Sequence, residues 1–215
     1  MTARISLSEL EDAQVGPPMR SRKNRVFRSS FEGRDCVVKV FRGEWRERAA
    51  LEYRVLRDCS DRGVPAPVPI ALLEYAIVMD SVEGEPASEA FDRMIVPGCS
   101  SMSESQEALA DSLACWLSHF HSSFDSRLAR GDTILRNFIL SPRGVIGLDF
   151  EESSSTDTLS DLGQMCASAL MTDPPFTDAK VVFAGHLARR YWHHSGEDRS
   201  TELGPTVSAA IRHYA

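Results

Sequence analysis

Arg130-Gly131-Asp132-Thr133-Ile134-Leu135-Arg136-Asn137 is the stretch on which the fold of this chain turns. It sets an aspartate and an asparagine five positions apart, just before two short apolar runs, Phe138 to Leu140 and Val145 to Leu148. Ser141-Pro142-Arg143-Gly144 joins those runs, a compact turn that predicts a hairpin. The far end of the hairpin delivers Asp149, twelve positions after Asn137. Phosphoryl transfer needs a carboxylate that orients a hydroxyl and accepts its proton, together with oxygen ligands for Mg²⁺. Asp132 suits the first task, and Asn137 and Asp149 suit the second.

Upstream, Arg25 to Phe41 reads RVFRSSFEGRDCVVKVF, two β-prone runs around a Glu32-Gly33-Arg34-Asp35 turn, which predicts a second hairpin. Lysine occurs only as Lys23, Lys39 and Lys180, and Lys39 falls within the apolar run Cys36 to Val40. The following GEWRERAALEYRVLRDCSDRG predicts a helix ending near Gly63, with Glu52 thirteen positions after Lys39. If that helix packs on the sheet, Glu52 can pair the ammonium and hold it toward a phosphate. Taken alone, a strand lysine is equally what an exposed sheet edge carries. A proline-rich connector then leads to two strands, Ile70 to Leu73 and Ala76 to Met79, closed by Asp80 and Gly84.

The remainder is mostly helical. Leu109, Leu113, Trp116, Leu117 and Phe120 recur at helical spacing and predict a buried helix over 104–124. His119 and His121 flank its apolar stripe without further metal ligands at suitable spacing, so structural or surface roles are expected for them. LSDLGQMCASALM and DAKVVFAGHLARRYWHH predict two more helices, and a last one is expected from Thr206 to Tyr214. The polar, small-residue segment Pro86 to Ser105 is read as part of an acceptor side. The fold class is therefore α+β: a small N-terminal antiparallel sheet with one helix, then a mainly helical part.

The 215 residues carry a net charge of −7, with 42% apolar and 26% charged residues, the balance of a water-soluble globular chain. The acidic balance argues against a general nucleic-acid binder, so nucleic acid is expected as a partner only through the Arg20, Arg22, Lys23, Arg25 and Arg28 cluster. No apolar run reaches the roughly 20 residues that cross a bilayer, and MTARISLSELEDAQ lacks the regions of a signal peptide, so a cytoplasmic location without membrane partners is expected. The five scattered cysteines, Cys36, Cys59, Cys99, Cys115 and Cys166, suggest reduced thiols rather than a disulfide framework or a zinc site. A serine hydrolase is disfavoured, because Gly98-Cys99-Ser100-Ser101-Met102 lacks the nucleophile elbow.

In their order, these residues resemble the protein-kinase-like superfamily, and in particular its compact branch of aminoglycoside and choline phosphotransferases, RIO kinases and the small kinase of the tRNA threonylcarbamoyl machinery. A strand lysine, a helix glutamate, an H-G-D-x-x-x-x-N loop and a D-F-G or D-F-E motif appear here as Lys39, Glu52, Arg130-Gly131-Asp132 to Asn137, and Asp149-Phe150-Glu151. The resemblance implies a bilobal fold, with 1–80 as the N-terminal lobe and 81–215 as the C-terminal lobe. It implies an ATP- and Mg²⁺-dependent kinase acting on a hydroxyl acceptor, with a small molecule modestly favoured. Lys39 would contact the α- and β-phosphates, Glu52 would position it, Asp132 would be the base, and Asn137 and Asp149 would hold Mg²⁺. The main chain around Asp80, Ser81 and Val82 would meet adenine, and Asp161 would brace the catalytic loop.

The departures are specific. No glycine-rich loop precedes Val26, and the basic cluster of residues 20–28 stands where its cradle would be. Arg130 replaces the usual histidine, a change that concerns loop anchoring, and Ile134 stands where protein kinases carry a lysine. About a dozen residues separate Asp149 from Asp161, too few for a long activation segment. Two alternatives stay open at this level: an atypical RIO-like protein kinase or a tRNA-modification-associated ATPase, and a non-catalytic ATP-binding pseudokinase.

Overall fold

A computed structural model describes residues 6–19, 21, 23–95 and 101–214. Arg20, Arg22 and the 96–100 segment with Cys99 lie outside the described residues, so the basic-cluster and elbow readings there are not addressed. Strands β1 (Val15–Met19), β2 (Arg25–Phe31), β3 (Arg34–Val40), β4 (Pro69–Leu72) and β5 (Ala76–Asp80) form one antiparallel sheet in the order β1-β2-β3-β5-β4. The β2–β3 turn is tighter than the sequence suggests. Phe31 pairs with Arg34, leaving only Glu32 and Gly33 in the loop, with φ of 51° and 74°. Two successive left-handed residues match the natural twist of a hairpin, so Arg34 and Asp35 join the strand.

The period of two along β3 decides where its lysine goes. Cys36, Val38 and Val40 bury themselves on one face with Phe27, Ala76 and Val78, beneath Leu10 of the short helix α1 (Leu7–Asp12). Lys39 therefore points to the other face, together with Val37, toward α2 (Arg48–Arg62) and the main core. In α2 the residues Ala49, Glu52, Val55, Leu56 and Cys59 are buried at helical spacing, so Glu52 sits on the inward stripe. Gly63 ends this helix in the left-handed conformation, φ 71°, its amide bonding back to the carbonyls of Cys59 and Ser60.

The C-terminal region holds β6 (Glu85–Pro86), α3 (Ala87–Met94), α4 (Glu104–Ser123), β7 (Phe138–Ser141), β8 (Gly144–Gly147), α5 (Leu159–Met171), α6 (Asp178–Ser195) and α7 (Ser200–Tyr214). The β6, β7 and β8 strands make a second small sheet, α4 packs on α6, and α5 packs on both α6 and α7. Ser103 and Gln106 cap α4 reciprocally. Trp116, Phe120, Phe138 and Phe150 stack as an aromatic core beneath the β7–β8 hairpin.

Two segments differ from expectation. The Pro86 to Ser105 region carries α3, because Ala87, Ala90 and Phe91 recur at helical spacing and bury themselves. The last helix begins at Ser200 rather than Thr206 and runs through Pro205. Proline removes a single hydrogen bond there, and the close packing of Thr206 against Gly163 of α5 holds the turn in place.

Candidate active site

Lys39 lies at the centre of a buried ionic cluster. Its Nζ stands 2.7 Å from Glu52 Oε2, 2.6 Å from Asp149 Oδ1 and 3.1 Å from Glu151 Oε2. Glu52 spans the cluster, since its Oε1 accepts the amide of Phe150 at 3.3 Å. Burial opposes charge on Lys39, but the three carboxylates outweigh it and hold the ammonium protonated well above the ordinary lysine range. Burial likewise raises Asp149, yet the Lys39 charge and hydrogen bond prevail and keep its carboxyl below the usual range. Glu52, fully enclosed, is driven upward by burial against the pull of Lys39. Three carboxylates face Lys39, and the second ammonium, the exposed Lys23, stands further off at 3.8 Å from Glu151.

The loop that carries Asp132 is held from beneath by Asp161, in the first turn of α5. Its Oδ2 accepts the amide of Arg130 at 2.6 Å and faces His121 Nε2 at 2.9 Å. Its Oδ1 accepts the amide of Gly131 and the hydroxyl of Thr133, both at 2.9 Å. His121 is in turn fixed by Tyr191, its Nδ1 lying 2.8 Å from the phenol oxygen. Arg130, wholly buried, lies over the rings of Phe138 and Phe150 and donates to the carbonyls of Asp132 and Leu148. With a further contact to the carbonyl of Asn137 at 3.4 Å, it ties the loop and the start of the β7–β8 hairpin to the residue that precedes Asp149.

The backbone around the two aspartates is unusual. Asp132 has φ 29° and Asp149 φ 62°, the left-handed region that non-glycine residues enter at a cost of about 1–3 kcal/mol. Gly131, φ 69°, is required where it stands: a Cβ there would lie 2.6 Å from the carbonyl oxygen of Glu152. Asn137 Nδ2 donates to the carbonyl of Asp132 at 2.9 Å and to its Oδ2 at 3.1 Å. Its amide oxygen is the atom left to meet a cation.

The structure thus brings Lys39, Glu52 and Asp149 into one cluster, and Asp132, Asn137, Arg130 and Asp161 into the adjoining loop. Asp80, Ser81 and Val82 follow one another at the end of β5, where the amide of Asp80 is committed to the carbonyl of Val68 at 2.9 Å. Of the described members of the 20–28 cluster, Arg25 turns to Glu11 and Gln14 of the N-terminal segment, whereas Lys23 turns to Glu151 and Glu152. Asn24 and His121 join the site without having been singled out as site residues in the sequence, whereas Lys23 was read there only as part of the 20–28 cluster and Glu151 only as the third position of the D-F-E motif. The Tyr214 phenol, at the end of α7, is raised first by burial and then by the charges of Asp132 and Glu152. A glutamate after D-F is the one local signal that could have flagged Glu151. The others depend on contacts between distant segments.

Comparison with known proteins gives a consistent picture. The profile of the APH family, described as a phosphotransferase enzyme family, matches residues 16–97. No curated protein matches the sequence. Among solved structures, amicoumacin kinase hAmiN in complex with AMP-PNP, Ca²⁺ and Ami superposes with a TM-score of 0.66 at 12% identity, covering 92% of this chain and 78% of the other. An aminoglycoside-3'-phosphotransferase of type VIII gives 0.66 at 16% identity, covering 96% and 99%. The Plasmodium vivax ethanolamine kinase Pv091845 gives 0.62 at 9% identity, covering 96% and 74%.

Proposed function

We propose, on the premise that this chain has the fold of the compact branch of the protein-kinase-like superfamily, that it is an ATP- and Mg²⁺-dependent kinase transferring the terminal phosphoryl group to a hydroxyl. The observation that carries the reading is Lys39 held between Glu52 and Asp149, beside a loop that presents Asp132 and Asn137. Residues 1–80 are read as the lobe that covers the nucleotide and 81–215 as the lobe that holds the acceptor. With the Asp80 amide already engaged, Ser81 and Val82 are the hinge residues whose main chain meets the base.

The residues fit a divalent cation. Oxygens of Glu52, Asp149 and Glu151 lie within 4.8 Å of one another around Lys39, with the exposed Lys23 further off at 3.8 Å from Glu151, so carboxylates outnumber ammonium groups and a hard cation would reduce the imbalance. Asp149, about one-third exposed, and the amide oxygen of Asn137 are the groups that would hold it, whereas the buried Glu52 keeps Lys39 in place. A bound Mg²⁺ supplies positive charge to the phosphate oxygens. Lys39 adds a fixed positive charge in a water-poor site, where it is worth more than in solution. Asp132 accepts the Asn137 amide on Oδ2 and has its other oxygen for the acceptor's hydroxyl, whose proton it takes as the phosphoryl group moves.

A small acceptor is the reading that the short stretch from Asp149 to Asp161 favours, since it leaves no platform for a peptide. The same reading is supported by the named neighbours, an amicoumacin kinase, an aminoglycoside-3'-phosphotransferase and an ethanolamine kinase. The test is thermal unfolding with ATP, with and without Mg²⁺. A ligand at 100 times its dissociation constant stabilises by about 2.7 kcal/mol, so a Mg²⁺-dependent rise in the midpoint is expected. No rise at millimolar ATP and Mg²⁺ would count against the reading.

A further inference from the structure

Lys23 and Asn24, the last two residues before β2, reach Glu151 and Glu152 beside the ionic cluster. Lys23 Nζ is 2.5 Å from Glu152 Oε1 and 3.8 Å from Glu151 Oε1, and sits 4.2 Å from the centroid of the Trp45 ring. Asn24 Nδ2 donates to Glu151 Oε2 at 2.6 Å, the oxygen that also faces Lys39. The carboxylate must receive a donor, which fixes the Asn24 amide orientation. Asn24 Oδ1 is then a buried acceptor without a partner among the described residues, in a residue only 6% exposed.

Two of the chain's three lysines therefore converge on Glu151, one from the strand and one from the connection above it. Their environments differ. Lys39 is enclosed by three carboxylates, whereas Lys23 remains 39% exposed and leans on Glu152, itself 36% exposed. An exposed ion pair of this kind is worth little and exchanges readily for a better anion. The cation is thus held beside the Asp149-Phe150-Glu151 segment by Glu151 and Glu152. Arg130, which reaches the carbonyl of Asp132, is spent on backbone carbonyls.

We infer that Lys23 grips the terminal phosphate of the nucleotide, exchanging Glu152 for phosphate oxygens, while Asn24 fixes the connection above the cluster. This would give a chain without a glycine-rich loop a side-chain cation in place of a backbone cradle. The inference rests on the nucleotide-binding reading above. It differs from that reading in assigning Lys23 to the last phosphate rather than to the nucleotide as a whole.

The experiment is calorimetric titration of the full chain with ATP, ADP and AMP in Mg²⁺, comparing the wild type with Lys23→Met and Lys23→Arg. A charge-assisted hydrogen bond is worth about 1.5–3 kcal/mol, so Lys23→Met should weaken ATP roughly ten- to hundredfold. ADP and AMP should change less than about threefold, which also shows that the variant is folded, and Lys23→Arg should recover most of the ATP affinity. If Lys23→Met leaves the ratio of ATP to ADP affinity at its wild-type value, the assignment is overturned while the nucleotide site stands. If the wild type binds none of the three, both readings fall together.

Discussion

Lys39 is a buried ammonium whose three neighbours are all acids, and its removal is a sharper perturbation than the loss of one ion pair. Taking one partner from a buried charge cluster costs about 3–5 kcal/mol, because the remaining charges lose their compensation. Lys39→Met should therefore lower the unfolding free energy from urea titration by an amount in that range, and acidification should recover part of it as the carboxylates take up protons. An unfolding free energy within about 0.5 kcal/mol of wild type, the size of a neutral surface change, would show that the cluster is not closed as described. At this scale Lys39, Glu52, Asp132, Asn137 and Asp149 were legible because each belongs to a short sequence pattern with its own chemical reason. The pairing of Lys23 with Glu152 and of Asn24 with Glu151 was not legible, since each is a contact across more than a hundred positions.

Among the elements, α5 does the most for the site. Its Asp161 takes four donors or partners from the catalytic loop and α4, so the loop's position is set by one carboxylate at a helix start. Asp161→Asn replaces an acceptor oxygen by a donor facing backbone amides. Turnover should fall by roughly ten- to a hundredfold, a share of the effect of losing a positioned base, while ATP affinity stays near wild type. Steady-state kinetics beside calorimetry separates the two, and a loss of ATP affinity as large as that of turnover would assign Asp161 a different role.

Gly131→Ala tests the same loop sterically. With φ 69° and a carbonyl 2.6 Å from the new methyl, it should destabilise by more than about 1 kcal/mol, read from chemical unfolding. The element map itself was largely readable: both hairpins, the Glu52 helix and the long α4 follow from periodicity and turn residues. α3 and the first two turns of α7 were missed, because Pro86, Pro205 and small polar residues mask a helical period that packing enforces. The β1 strand, Val-Gly-Pro-Pro-Met, is held by pairing with β2 and has no strand pattern of its own.

Over the whole molecule, the N-terminal sheet and the helical region share one continuous apolar core that runs from Phe41 and Leu56 through Trp116 to Phe183 and Tyr191. Its buried thiols carry a pH signature. Burial pushes Cys59 and Cys166 up to about 12 from an ordinary 9.0. A raised folded value means that stability is full below pH 9 and drains away as pH climbs toward 12, because the unfolded thiol ionises first. Cys166→Ala should flatten the fall in unfolding free energy between pH 9 and 11, and an unchanged slope would contradict the burial. Among the described residues no helix is long and apolar enough to cross a membrane.

The central claim is phosphoryl transfer through Asp132. Its most direct test is to supply γ-labelled ATP and Mg²⁺ to the wild type and to Asp132→Ala, with a cell extract split into small-molecule and macromolecular fractions. The wild type is expected to label a small hydroxylated compound, and the variant to do so about 10²–10⁴ times more slowly while still binding ATP. Label confined to macromolecules would contradict the small acceptor, and equal labelling by both proteins would contradict the role of Asp132.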